Sequence, residues 1–223
     1  MSHYFSRIHV TGADPDRVMA ILKADGYRLH QVLWELFPGD PGAKRDFLFR
    51  RDETNGWPMF YLLSARRPVN DQGILAIESK PFDPQLQSGD RLGFSLRANP
   101  VRTRKTDDLN SNTRRRDDVV WCLKTEYRER GETVPDQAEL AQQAGQAWIM
   151  RQGKRHGFEV QSVRIDGYQQ HRATGTSRNI RFSTLDFNGA LTVTKVDDFI
   201  RALTKGIGPA KAFGCGLMMV KRL

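Results

Sequence analysis

From Tyr4 to Val10 the chain alternates apolar and polar positions, the two-residue period of a strand with one face buried. Asp14-Pro15-Asp16 then signals a helix start, and Val18, Ile21 and Leu22 follow at helical spacing. Gly26 interrupts that pattern. Leu29, Val32, Leu33, Leu36 and Phe37 resume an apolar helical stripe that Pro38-Gly39 ends, so two consecutive helices are predicted. Asp46 to Arg50 and Met59 to Ala65 read as strands joined by the turn signal Asn55-Gly56. Ile74 to Ser79 reads as a further strand, with a short helix predicted before it, near Pro68 to Gln72.

A second round begins with the alternating run Arg91 to Arg102, followed by Arg104 to Asp118, a polar, arginine-rich stretch that reads as a mobile loop. Pro135 to Gly153 is helical, its apolar positions supplied by Leu140, Ala144, Ala147, Trp148 and Met150. Phe158 to Tyr168 and Ile180 to Thr194 read as strands linked by a polar hairpin, Gln169 to Asn179. Asp197-Asp198 stands where it can cap a helix over Phe199 to Lys205, and Leu217 to Val220 makes a last strand. Both rounds follow the order β-α-β-β-α-β, the ferredoxin-like plan. No residue-level repeat links the halves, so the duplication rests on element order.

At 223 residues the chain can bury a core as one large or two small domains. Thirty-five Lys and Arg against 26 Asp and Glu leave a net charge of +9, with arginines concentrated in the middle and second half, which points to a polyanionic partner, nucleic acid before a membrane surface. No apolar run reaches the ~18 residues of a membrane span, and Met1-Ser2-His3-Tyr4-Phe5 lacks a signal-peptide core, so a cytoplasmic protein without a membrane partner is expected. Cys122 and Cys215 stand far apart with no CxxC or HExxH, so neither a disulfide framework nor a protein-held metal is expected.

Candidate chemistry concentrates in three places. Gly206-Ile207-Gly208-Pro209-Ala210-Lys211-Ala212-Phe213-Gly214-Cys215-Gly216 sets two Gly-x-Gly units around one lysine, a pattern suited to bringing backbone N–H groups close to a phosphate. It is neither a P-loop nor a Rossmann loop, because only one strand follows it. On the second predicted helix, Tyr27, His30 and Trp34 share a flank beside the Leu29, Val32, Leu33 and Leu36 stripe. Imidazole beside phenol suits proton transfer near neutral pH, while spacing alone favours a half-buried structural pair. Basic residues cluster at Arg97, Arg102, Arg104 and Lys105, at Arg114-Arg115-Arg116, at Lys154-Arg155, and at Arg164, His171, Arg172, Arg178 and Arg181. A basic hairpin over Tyr168 to Arg181 can enter a groove or straddle a nucleic-acid backbone.

Three segments together resemble one family: Tyr27-Arg28-Leu29-His30-Gln31-Val32-Leu33-Trp34-Glu35-Leu36-Phe37-Pro38, Leu96-Arg97-Ala98-Asn99-Pro100, and the glycine-rich tail Gly206 to Gly216, with Arg45-Asp46-Phe47-Leu48-Phe49 in the same order. The family is CasE, the CRISPR RNA-processing endoribonuclease of the type I-E (Cascade) system. The resemblance implies an α+β fold of tandem ferredoxin-like (RRM-like) domains, each an antiparallel sheet with helices on one face. Residues 1–88 would carry the His/Tyr pair, and 89–223 the basic hairpin and glycine loop.

The resemblance also implies metal-independent cleavage of the CRISPR repeat without a cofactor, by attack of a ribose 2′-hydroxyl that leaves a 2′,3′-cyclic phosphate and a 5′-hydroxyl. The partners implied are the repeat RNA stem-loop, precursor and mature, and other Cascade subunits. His30 maps onto the catalytic histidine and Tyr27 onto its helper, with His30 either taking the 2′ proton or protonating the 5′ oxygen. Gly206, Gly208, Gly214 and Gly216 map onto the phosphate-positioning loop, while Arg97, Arg102, Arg172, Arg178 and Lys211 are the expected RNA contacts. Two departures stand out: extra residues precede Tyr27, and Val119 to Thr133 expands the segment between Pro100 and Pro135. The rival from another class is a non-catalytic RNA-binding subunit of the same fold. An RNA-modification enzyme on tandem RRM-like domains lacks any cofactor motif here.

Overall fold

The first strand, β1 (His3–Val10), lies inside a four-stranded antiparallel sheet with β2 (Phe47–Thr54), β3 (Trp57–Ser64) and β4 (Leu75–Phe82), in the order β2-β3-β1-β4. This is a computed structural model, and it describes all residues except 1–2, 12–14, 24–25, 40–44, 71–72, 106–113 and 174–179. Asn55 and Gly56 take φ of 53° and 79°, the left-handed pair that a two-residue hairpin needs, and this sets the β2–β3 register. Two helices, α1 (Pro15–Lys23) and α2 (Gly26–Trp34), pack Ile21, Leu29 and Leu33 against Ile8, Phe47, Phe60 and Leu62. The helix predicted near Pro68 is not formed: residues 65–70 hold no helix, and 71 and 72 lie outside the described residues. Its backbone bonds elsewhere, the Val69 amide donating to the Leu36 carbonyl at 2.9 Å and the Asn70 side chain to the Leu75 carbonyl.

The second sheet repeats the same order with β5 (Arg91–Ala98), β8 (Phe158–Ala173), β9 (Ile180–Val193) and β10 (Met218–Arg222), arranged β10-β5-β9-β8. Two helices, α4 (Gln137–His156) and α5 (Val196–Lys205), bury Leu140, Trp148, Phe199 and Leu203 against Leu92, Phe94, Leu185 and Phe187. Asp197 and Asp198 do not cap α5. Its cap position is Lys195, without a side-chain bond, and both carboxylates sit inside the first turn, where they oppose the helix dipole.

The stretch Arg104 to Asp118 is not a loop throughout. β6 (Val101–Lys105) pairs with β7 (Arg114–Asp118) as an antiparallel ribbon, from Val101 opposite Asp118 to Lys105 opposite Arg114. Its mostly polar side chains leave no apolar period to read, and ion pairs supplement the backbone ladder: Arg115 to Asp117 at 2.7 Å and Arg102 to Glu126 at 2.8 Å. Asp118 ends the ribbon by accepting from the amides of Val120 and Trp121, which starts the extra helix α3 (Val119–Glu129) in the expanded segment.

The two sheets meet at β2. Phe47, Leu48, Phe49 and Arg50 are all buried, because one face of the strand meets α2 while Leu48, with Leu63 of β3, packs on Leu217 of the second half. Arg50 donates to Asp52 and to the Ser95 hydroxyl of β5, both at 2.8 Å, which gives the junction a polar pin.

A stability prediction follows from the β8–β9 pairing. The register shifts between Val160 and Ser162, and beside that bulge a Cβ at Gly189 would stand 2.0 Å from the Ser162 carbonyl oxygen. Gly189→Ala should therefore cost about 1–3 kcal/mol, read as a fall of several degrees in Tm. A variant as stable as the wild type would show that the bulge relaxes freely.

Candidate functional site

α2 turns His30 toward β2. Its ring stacks on Phe47 at 5.3 Å between centroids and lies 5.8 Å from Trp34 and 6.3 Å from Phe49. The imidazole is half-buried, and its Nε2 has no partner among the described residues. Burial, and then the charge of Arg45, hold its pKa below the ordinary histidine value, so the ring is neutral at neutral pH. Tyr27 lies on α2 one turn before His30, and its side chain falls outside the described residues.

Against α2 packs the tail loop, folded around a single turn of 3-10 helix, Lys211–Phe213. Gly206, Gly208, Gly214 and Gly216 all take φ between 77° and 93°, left-handed values that a side chain strains. Two of them also answer to β2: a Cβ at Gly206 would meet Leu48 at 2.8 Å, and one at Gly214 would meet the Phe49 ring at 3.2 Å. Leu48 and Phe49 point to opposite faces of the strand, so the loop grips β2 from both sides. The loop amides divide in two groups. Those of Gly206, Ile207, Phe213, Gly214 and Gly216 donate to backbone carbonyls, whereas among the described residues those of Gly208, Ala210, Lys211 and Ala212 donate to none.

Beside those free amides opens a cavity of about 670 Å³ lined by Arg45, Arg116, Arg155, His156, Lys205 and Lys211, with no carboxylate in its described wall. Burial and the charges of Arg45 and Lys205 push the Lys211 ammonium below the ordinary lysine value, and burial lowers Arg45 too. His156 is lowered by burial, Arg155 and Lys211, against a partial offset from Asp198. Crowded, unneutralised cations of this kind await an anion. A second cleft, of about 300 Å³, separates Leu29 and Phe49 from the β8–β9 hairpin, with Arg172 exposed at its mouth. Its wall is an aromatic stack, His171 on Phe182 and Phe182 on Phe213, each at 4.8 Å.

The fold thus sets the helix of His30 against the Lys211–Phe213 turn and the glycine loop, with Arg97 and Arg172 lining the second cleft beside them. Arg97 is committed within the protein: it donates to both Asp186 oxygens and to the Arg51 carbonyl, each at 2.8 Å. Arg102 is paired with Glu126 on the outside of the ribbon. Arg178 lies outside the described residues. Sequence reasoning misses Arg45 and His156 as site residues, because neither belongs to a periodic pattern and only folding places both beside Lys211.

The sequence model of the CRISPR associated protein family matches residues 3–222. Over 202 residues the chain is 33% identical to the Cascade subunit CasE of Escherichia coli K12, covering 89% of this chain and 93% of that protein. The chain belongs to the CasE family. It is also 25% identical over 217 residues to the CRISPR-associated endoribonuclease Cse3 of Thermus thermophilus, covering 88% of this chain and 90% of Cse3. The crystal structure of Cas6e from E. coli K-12 superposes with a TM-score of 0.66 at 28% identity, over 99% of this chain and all of that one. The CasE-family fold of paired antiparallel sheets with helices is therefore the fold of this chain. Among its described residues no three His, Cys, Asp or Glu side chains gather as a metal site, and no helix is long and apolar enough to cross a membrane.

The electrostatics of His30 can be checked by titrating its ring resonances by NMR. Its midpoint should fall below 6.5, and Arg45→Met should raise it, because removing a neighbouring positive charge favours the protonated ring. It should stay below 6.5 even then, since burial is the larger cause. A midpoint unmoved by Arg45→Met would separate the two residues electrostatically.

Proposed function

We propose that this protein is the endoribonuclease that cleaves precursor CRISPR RNA within the repeat hairpin and stays on the mature RNA as a subunit of Cascade, acting in the cytoplasm. The observation that carries the reading is His30: a neutral imidazole whose buried Nε2 has no partner among the described residues, on a helix packed against the Lys211–Phe213 turn. The kinship with CasE and with the endoribonuclease Cse3 supports the same activity.

In this mechanism the 2′-hydroxyl of the nucleotide before the cut attacks the adjacent phosphorus while the His30 imidazole takes its proton. The 2′-O–P bond forms, the P–O5′ bond breaks, and the products are a 2′,3′-cyclic phosphate and a 5′-hydroxyl. A neutral ring below its ordinary pKa is suited to the base role. Lys211, an ammonium of lowered pKa, faces the developing phosphorane charge and can pass a proton to the departing 5′ oxygen. The amides of Ala210, Lys211 and Ala212, which have no backbone acceptor among the described residues, offer the phosphate donors, and the four glycines hold that turn in shape. Tyr27, one turn from His30, is the helper that orients the attacking hydroxyl. Arg172, at the mouth of the cleft, holds the RNA by charge, while Arg97 acts by fixing β5 to β9 and β2.

The test is single-turnover cleavage of labelled repeat RNA in EDTA. Wild type should cut without divalent metal, His30→Ala should lose about 10²- to 10⁴-fold in rate with affinity nearly unchanged, and Tyr27→Phe should lose less. An RNA with a 2′-deoxy nucleotide just before the cut should bind and resist cleavage. Efficient cutting of that RNA would make water the nucleophile, a His30→Ala protein that cuts at the wild-type rate would remove His30 from the chemistry, and a wild type that binds the repeat without cutting it would leave only the RNA-binding subunit.

A further inference from the structure

A third groove, of about 670 Å³, opens beside the 3-10 turn, between the β6–β7 ribbon, α3 and the β8–β9 hairpin. Trp121, in the first turn of α3, lines it and is 49% exposed. An indole left in water costs solvation, and the groove that it lines also carries Arg115, Arg116, Arg172 and Arg181. The groove's two carboxylates are already engaged inside the protein. Asp117 pairs with Arg115 at 2.7 Å, and Asp118 caps α3 and accepts from the Tyr168 hydroxyl at 3.0 Å. Among the described residues Arg116, Arg172 and Arg181 have no carboxylate partner, so the groove combines a flat aromatic face with unneutralised arginines.

That combination fits an unpaired nucleotide, whose base stacks while its phosphates meet the guanidiniums. A protein segment would find the arginines without partners unless it were acidic, and nothing in the groove favours an acidic chain over a nucleic-acid backbone. Position decides further. The groove shares Val101, Arg116, Pro209 and Ala210 with the basic cavity beside Lys211, so the two form one continuous track around the glycine loop. A strand whose phosphate lies at Lys211 has its next nucleotides within reach of Trp121.

We propose that Trp121 is a stacking platform for an unpaired nucleotide flanking the scissile phosphate, and that α3 adds recognition of the single-stranded flank to recognition of the hairpin. This rests on the RNA-cleaving reading above. α3 is firmly anchored beneath the indole, since Asp118 caps its first turn, Val119, Val120 and Cys122 are buried, and the helix packs on α4. The indole itself makes no hydrogen bond among the described residues, so its removal leaves the helix intact.

The experiment uses the intact protein and the repeat RNA it cleaves, with its unpaired flanks, in competition binding at one fixed salt concentration. Unpaired positions are replaced one at a time by abasic nucleotides, against wild type, Trp121→Phe and Trp121→Ala. Trp121→Ala should weaken binding of the flanked RNA roughly tenfold, Trp121→Phe should retain most of the affinity, and Tm should not move. One or two adjacent abasic positions should weaken wild type by the same factor and have no further effect on Trp121→Ala. Binding of a hairpin trimmed of its flank should be equal for wild type and Trp121→Ala. Wild-type affinity in Trp121→Ala, or fully additive losses at every position, would overturn the proposal while leaving the cleavage reading in place. A Trp121→Ala defect confined to assembly with other protein subunits would overturn it too. A wild-type protein that binds no repeat RNA would overturn the cleavage reading and the platform together.

Discussion

Everything at the candidate site depends on the burial of β2 on both faces. A strand of an ordinary two-layer unit shows one face to water, but here Phe47 and Phe49 serve α2 while Leu48 serves the second half of the chain. The tail loop can close on this strand only because glycine stands where it touches Leu48 and Phe49. Holding β2 in this way sets α2 against the Lys211–Phe213 turn, and so His30 against the cations. The polar pins of Arg50 on Ser95 and Arg97 on the Arg51 carbonyl run parallel to the apolar contact and fix its register. Neither half contains the site alone.

The fold was legible where burial is one-sided. β1, α2, α4 and β9 carry clean periods, and Asn55-Gly56 announced its hairpin because only left-handed residues close so short a turn. It was illegible where burial is absent. The β6–β7 ribbon is mostly polar, so it looked like a loop, and the segment after β3, read as helix, makes its backbone bond to Leu36 instead. Asp197 and Asp198 looked like caps because the apolar pattern becomes readable only at Phe199, whereas α5 begins at Val196.

For the candidate site, local sequence shows His30 on a helix flank and glycines around Lys211, while the role of His30 comes from the resemblance to a family rather than from its spacing. What folding adds is company. Arg45 and His156 acquire their place only through the packing of the tail, and no local pattern encodes that. Conversely Arg97 sits in a basic cluster by sequence, yet Asp186 on β9 takes up its charge once β5 and β9 pair. Clustered charge in a sequence says which residues are available; pairing across strands decides which remain so.

The grip of the tail loop on β2 also sets a clock. Chains are made from the amino end, so α2 and β2 leave the ribosome long before Gly206 and Lys211 exist. During that interval Leu48 lacks Leu217 and so leaves apolar surface open on the nascent chain. Lys211 and the glycine loop join His30 and Arg45 only as the final residues are made.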